Sequence, residues 1–326
     1  MTLTRNEYRL SVKAQGLAKA CSPVVNWRYA SRMMSALKFG ILGLGLGFGL
    51  GVATPFVSGA AQQPATTPTT QTAPTQGQTS PPAGRGRGMA FTEPSPMDFH
   101  DHEGYVSLFD GVSLKGWDGN PKFWRVEDGA IVGESTPANP SGNSYIAYRN
   151  LEAKDFTLKF EIKIEGTGGS GIQYRSKTGL PWLANIPANV TANVGPVNLN
   201  WMMTGPQADF WPSRVYTGQF YSENTPMRIL AWRGQVVEGF GAKSKRLMGN
   251  IADREALGNV VRQNDWNQYT VIARGGTFLH ILNGQLMAVM IDDDPESSIN
   301  QAGQFGIEIE ATTKVSVRNM WVKKLS

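Results

Sequence analysis

Residues 156–165, FTLKFEIKIE, alternate apolar and polar side chains without a slip. Phe156, Leu158, Phe160, Ile162 and Ile164 fall on one face, and Thr157, Lys159, Glu161 and Lys163 on the other. A period of two marks a half-buried antiparallel strand, with one face on a core and the other in water. The run breaks at GTGGSG and resumes as Ile172-Gln173-Tyr174-Arg175. The same alternation puts Ile172 and Tyr174 on one face of this second strand and Gln173 and Arg175 on the other. A polar pair at i, i+2 on a sheet face can form a binding surface.

Similar strand signals recur at short spacing, at 105–109, 123–126, 130–132, 145–148, 228–232, 266–273, 277–282, 286–291, 304–309 and 315–323. Asp128-Gly129, Gly275-Gly276 and Asn283-Gly284 are two-residue joints that accept the positive φ angles of tight hairpins. One short helix is predicted at about 253–261, opened by a capping aspartate, Asp253. Many strands, glycine turns and scarcely any helix predict an all-β domain of two packed antiparallel sheets, a sandwich or jelly roll. The stretch 177–204 departs from this pattern. It is rich in Asn, Pro and Gly, and a loop of that length in a compact domain is usually functional or disordered.

The first ninety residues do not read as part of that domain. Up to Ala90 there are nine Lys and Arg against one acid, Glu7; from Phe91 onward there are 22 basic and 25 acidic residues, a net charge of −3. The basic balance belongs to the leader, so the domain offers no electrostatic case for nucleic-acid binding. Residues 39–57 are uncharged, follow Arg32 and Lys38, and precede small Ser58-Gly59-Ala60-Ala61. This is the layout of a secretory signal over 1–61, cleaved after Ala60 or Ala61, and it predicts a periplasmic or extracellular protein. A membrane partner follows only if 39–57 is retained as an anchor, since 19 residues can span a bilayer. The one cysteine, Cys21, lies upstream, leaving the mature chain without thiol or disulfide chemistry. Residues 62–91, rich in Pro, Thr and Gln, have little to bury and read as a disordered linker. The folded domain is expected over 92–326.

Several segments resemble the 3-keto-disaccharide hydrolase family, whose fold is a concanavalin A/glucanase-like jelly roll. Gly104-Tyr105-Val106-Ser107-Leu108-Phe109-Asp110-Gly111 and Leu114-Lys115-Gly116-Trp117 resemble its opening motif, and residues 123–133 its next hairpin. Gly169-Ser170-Gly171-Ile172-Gln173-Tyr174-Arg175 is similar to its glycine-turn strand pair. Residues 204–209 and 221–223 look like two cleft strands. Trp266-Asn267-Gln268-Tyr269, Ala273-Arg274-Gly275, His280, Asn283-Gly284 and Arg318-Asn319 continue the likeness, which covers about 104–324. Where family members often carry Gln and His on the penultimate strand, this chain has Glu308 and Glu310.

Three segments deliver polar pairs at i, i+2: Gln173/Arg175, Gln207/Asp209 and Glu308/Glu310. Amides and carboxylates exchange hydrogen bonds with sugar hydroxyls, and Arg clamps a carbonyl or carboxylate. By pattern alone each pair could be a solvated outer face. The resemblance implies that Gln173/Arg175 and Gln207/Asp209 line a cleft, with Glu223 beside them. Glu308 and Glu310 lie about 7 Å apart by strand rise and could be an acid/base pair, metal ligands or surface charges. His280 alternates with Phe278 and Leu282, so it could be a catalytic or a packed core histidine. Asp292-Asp293-Asp294 reads as a solvated turn, with calcium a minor option and no cofactor certain. Trp182, Trp201 and Trp211 are candidates to stack on a sugar face or to fill a core.

The resemblance implies a carbohydrate partner and cleavage of 3-keto-glycosides: C2 deprotonation, elimination at C1, then water addition. Asp209, Glu308 or Glu310 would be the base, and Arg175 or a metal the enolate stabiliser. His280 and Gln207 would position groups or donate protons. The alternative is a non-catalytic carbohydrate-binding jelly-roll module, a role the same scaffold serves.

Overall fold

The computed structural model describes residues 93–183, 188–194, 197–213, 216–241 and 244–326. The predicted signal, the candidate anchor and the linker lie outside them. No helix among the described residues is long and apolar enough to cross a membrane.

In chain order the strands are β1 (Val106–Ser107), β2 (Trp117–Gly119), β3 (Trp124–Glu127), β4 (Ala130–Ser135), β5 (Ser144–Ala153), β6 (Phe156–Gly166), β7 (Ser170–Thr178), β8 (Met203–Phe210) and β9 (Phe220–Glu223). They continue with β10 (Arg228–Ala231), β11 (Gln235–Gly239), β12 (Lys245–Asn250), β13 (Asn267–Arg274), β14 (Thr277–Leu282), β15 (Gln285–Asp292), β16 (Gly303–Ile309) and β17 (Thr313–Lys324). They form a ten-stranded sheet, β12-β11-β15-β14-β13-β6-β17-β4-β3 with β1 on β17, and a seven-stranded sheet, β10-β9-β8-β7-β16-β5-β2. The domain is an all-β sandwich, as the alternation predicts.

The expected hairpin dipeptides are where positive φ is needed. Asp128 and Gly129 (φ 50° and 71°) join β3 to β4, and Asn283 and Gly284 (φ 49° and 80°) join β14 to β15. The predicted helix is a single turn, Arg254–Gly258, capped by Asp253 Oδ1 accepting the Ala256 N–H at 2.9 Å. A second helix, Ala188–Val194, lies inside the 177–204 stretch; its Asn, Thr and Val content is poor in helix formers, and the composition did not announce it.

Apolar faces meet between the sheets. Phe156, Leu158, Phe160 and Ile162 of β6 are fully buried against residues such as Tyr174, Phe305 and Ile307 of the opposite sheet. The other face of β6 is not simply in water. Lys159 and Glu161 are buried at 2% and 8% exposure, Lys159 beneath residues that precede β1 and Glu161 beside side chains of β17. Lys159 Nζ donates to the carbonyls of Asp98 and Asp101 at 2.8 and 2.6 Å, and Glu161 accepts from Arg318 and Asn319 of β17 at 2.8 and 2.6 Å. Burial of these charged groups is sustained by full pairing.

Alternation fails at one place in β7. Ile172 and Tyr174 enter the core as predicted, but Arg175 has φ 48°, and the register against β8 shifts between Gln173 and Lys177. A left-handed residue in a bulge redirects its side chain. Arg175 therefore leaves the face of Gln173 and turns to the core side, its guanidinium 4.7 Å above the ring of Phe278.

Candidate active site

The outward face of the seven-stranded sheet gathers most of the expected residues, and strand register explains how. Gln173 pairs with Gln207 and with Gly306, Gly171 with Asp209, Gln207 with Tyr221, and Glu308 with Tyr145. Side chains two apart share a face, so Gln173, Gln207, Asp209, Glu308, Tyr145, Tyr221 and Glu223 project together. The 177–204 segment covers part of this face: Met202 and Met203 pack with Tyr145 and Ala147, and Trp182 and Val197 lie against them. An outward face that the lone-strand pattern would give to solvent is thus buried.

Glu308 is the hub. Its Oε1 accepts from Tyr145 Oη at 2.8 Å and Asn143 Nδ2 at 2.9 Å, and its Oε2 accepts from Gln207 Nε2 at 2.5 Å. Gln207 belongs to β8 and Glu308 to β16, with β7 between them, so the amide must pass over β7. It does so at Gly171, which has no side chain in the way. Asp209 accepts a hydrogen bond from Gln219 Nε2. Gln173 accepts from Ser176 Oγ at 2.7 Å through Oε1, while its buried Nε2 has no partner.

Four carboxyl groups face one another here with no ion pair to a basic side chain among the described residues. Burial holds Asp209 well above the usual carboxylate range, and the charges of Glu308 and Glu310 add to it. Glu223 is raised in the same way, by burial first and then by Glu308, Asp209 and Glu310. Burial also raises Glu308, against the pull of its three hydrogen bonds. Glu310 is pushed up to about 7 by burial and by neighbouring Glu308. A carboxyl group that titrates near neutrality, as Glu310 does, beside others kept protonated more readily by burial is what acid/base chemistry requires.

Glu310 and Asn143 line a cavity of about 620 Å³ together with Trp182, Trp201 and Met202. That size is in the range of small-ligand sites. Trp201 is fixed by its Nε1–H donating to Asp118 Oδ1 at 2.8 Å, and Trp182 meets Tyr145 edge-on at 5.9 Å. Trp211 stands apart from this cavity, packed over Gly169 and edge-on to Tyr216 at 5.1 Å.

Two expected site residues are not brought here. Arg175 spends its donors on the carbonyls of Lys154, Gly275 and Ile299 and on Asp155 Oδ1, at 2.5 to 3.2 Å, at another part of the sandwich. His280 is fully buried in the core between the sheets and stacks on Phe220 at 5.3 Å. Its Nδ1–H donates to the Gln219 carbonyl at 3.0 Å, which leaves Nε2 to accept from Tyr174 Oη at 2.7 Å. Burial lowers its pKa to about 4, so the ring is neutral and structural. The aspartate run is also not a solvated turn throughout: Asp292 is buried, and its Oδ1 accepts the N–H groups of Gly241 and Asp294. No group of three or more His, Cys, Asp or Glu side chains among the described residues could hold a metal ion.

Sequence reasoning passed over Asn143, Tyr145, Gln219 and Tyr221. A signal was present for the last two: Gln219 and Tyr221 precede Glu223 at spacings of two, which puts the three on one face of a strand.

An all-β sandwich with clustered carboxylates beside a cavity on one sheet face has the layout of a carbohydrate-active, hydrolase-like protein. The sequence comparison narrows this class: the model of the 3-keto-alpha-glucoside-1,2-lyase-like domain matches residues 104–323, and the chain belongs to that family. It is 33% identical over 84 residues to a 3-keto-disaccharide hydrolase of Bacteroides thetaiotaomicron, a match covering 23% of this chain and 28% of the relative. The chain thus spans little more than a quarter of that curated relative. Among solved structures it is similar to a carbohydrate-binding module of Bacillus subtilis, with TM-score 0.38, 16% identity and 64% and 96% of the two chains covered. It is also similar to a Bacillus subtilis protein of galectin-like fold, with TM-score 0.41, 11% identity and 65% and 90% covered.

Proposed function

We propose that this domain hydrolyses 3-keto-glycosides by elimination at C1–C2 followed by water addition, and that its leader directs it to the cell envelope or beyond. The observation that carries the reading is Glu310: a carboxyl group that lines the cavity, stands beside Glu308 and has a pKa raised to about 7.

A ketone at C3 acidifies the C2 proton, and Glu310 is the base that removes it. The C2–H electrons form the C1=C2 bond as the C1–O bond breaks. The leaving oxygen takes a proton from a carboxyl group kept neutral by burial, a role that Asp209 or Glu223 fits. Water then adds at C1 and gives its proton to the carboxylate that protonated the leaving group; Glu310, having exchanged the abstracted proton with solvent, protonates C2, so the net reaction is hydrolysis. The developing enolate needs neutral donors, and the amide of Gln173, with its unpartnered Nε2, replaces Arg175 in this role. Glu308, held on three sides, positions Gln207 and Tyr145 and keeps Glu310 basic.

The test is turnover of a 3-keto-glucoside beside its unoxidised parent in deuterated water. Cleavage of the ketone alone, with deuterium at C2 of the released sugar, is expected. Equal cleavage of the parent, or product free of deuterium, would falsify the elimination scheme. Glu310→Gln, Glu308→Gln and Asp209→Asn should each lose activity. Binding of unmodified glycan with no turnover of either compound would instead support a carbohydrate-binding module.

A further inference from the structure

The cavity beside Glu310 is asymmetric in charge. Among the described residues that line it, Glu310 is the one ionisable side chain; the others are apolar, aromatic, amide or hydroxyl. Much of the lining comes from a segment with an unusual composition: from Thr178 to Met203 the chain has no Asp, Glu, Lys, Arg or His. That segment supplies Trp182, Asn189, Val190, Val197, Trp201 and Met202 to the lining. An anion placed there meets no counter-ion among the residues that line it. An anion would also face Glu310 and, behind it, Glu308 on the hydrogen bonds of Asn143 and Tyr145. Bringing an anion into such a space costs both its hydration and the repulsion of like charge. A neutral ring loses neither, and it can lay an apolar face on indole while amides receive its polar edge.

We propose that Trp182, Asn189, Val190, Val197, Trp201 and Met202 build the leaving-group subsite of this domain, and that the subsite selects uncharged leaving groups and rejects anionic ones. This rests on the hydrolase reading above for the word leaving group, but not for the selectivity itself. The selected chemistry is a neutral ring with one apolar face, which a second sugar or an aryl group can supply. Asn189 is the specificity position with most freedom to change. It is exposed on the first turn of the Ala188–Val194 helix and borders the cavity. A lysine there would supply the missing counter-charge.

Two matched pairs of 3-keto-glucosides test this in the full chain. One carries 4-carbamoylphenyl or 4-carboxyphenyl as leaving group, nearly equal in shape but different in charge. The other carries a neutral hexose or the corresponding uronate. In each pair kcat/KM is expected to favour the neutral member by roughly tenfold or more, about 1.4 kcal/mol at the threshold. Asn189→Lys should shrink that ratio at least about fivefold, and Asn189→Asp should widen it. Preference for one neutral member over the other tells aryl from sugar. Equal rates within both pairs, or a ratio that Asn189→Lys leaves unmoved, overturns the proposal. If no 3-keto-glycoside is turned over, the hydrolase reading fails by itself. Quenching of tryptophan fluorescence by the unoxidised pairs then decides the subsite: neutral-only binding sustains it, and equal binding or none overturns it.

Discussion

Gln207 crosses a neighbouring strand through the space that Gly171 leaves open: a β-carbon at Gly171 would stand 2.6 Å from Gln207 Cδ. The crossing lets Gln207 Nε2 reach Glu308 Oε2 from two strands away. Gly171 does not need its conformational freedom here, since it is absent from the positive-φ residues. It needs only its missing side chain. Gly171→Ala should therefore fold, displace the amide and lower kcat by roughly tenfold, the scale of one lost hydrogen bond to a charged group. Gln207→Ala should cost a similar amount, and the double variant little more, because both remove the same contact. Steady-state kinetics of the four proteins check this, and additive losses would refute the shared contact.

Glu310 sets a pH limb. Its carboxyl titrates at about 7, raised by burial and by Glu308, and a base must be ionised to act. In the free enzyme kcat/KM should rise with pH up to about 7 and level above it. Glu310→Gln should lose that limb along with about a hundredfold or more of rate. A limb that survives in the variant assigns the base elsewhere.

Arg175 makes the contrary prediction. Four of its five N–H donors go to three carbonyls and Asp155, and Asp155 Oδ1 also accepts the Gly275 N–H at 2.7 Å. Arg175→Met leaves those groups unpaired, which should cost about 3 kcal/mol of stability by denaturant titration. The folded fraction should keep its KM and kcat. A large loss of kcat with an unchanged unfolding midpoint would return Arg175 to the active site.

The contrast between Gln173 and Arg175 shows what was legible beforehand and what was not. Alternation in β6 and β7, together with the Asp128-Gly129 and Asn283-Gly284 turns, is local chemistry and reads straight from the residues. The i, i+2 pairs Gln207/Asp209 and Glu308/Glu310 read the same way, and register brings them together. A positive φ at Arg175 is not local chemistry. Arginine has no preference for it, and the carbonyls that repay it come from residues 154, 275 and 299. Nor could alternation reveal that Lys159 is covered by the Asp98 and Asp101 carbonyls. His280 was readable in part: its place between Phe278 and Leu282 marks a core face, and only the partners Tyr174 and Gln219 decide it.

The carboxyl cluster should make the domain more stable in mild acid than at neutral pH. Glu223 has its folded pKa raised by burial and by Glu308, Asp209 and Glu310, well above its unfolded value. Below the unfolded pKa both states hold the proton, so that contribution is fully present. As pH rises past it, the unfolded chain releases the proton while the folded chain keeps it, and stability falls until the folded group ionises. Glu223→Gln removes this one titration and keeps the shape. Its Tm should exceed that of the parent by about 2–4 °C at pH 7.5, the shift expected for ~1 kcal/mol in a domain of this size. The gain should shrink toward zero below about pH 4.5, where the unfolded chain also holds the proton. Thermal melts of both proteins across that range give the answer, and a Tm lowered by the substitution at every pH would show that Glu223 is held as a stabilising anion.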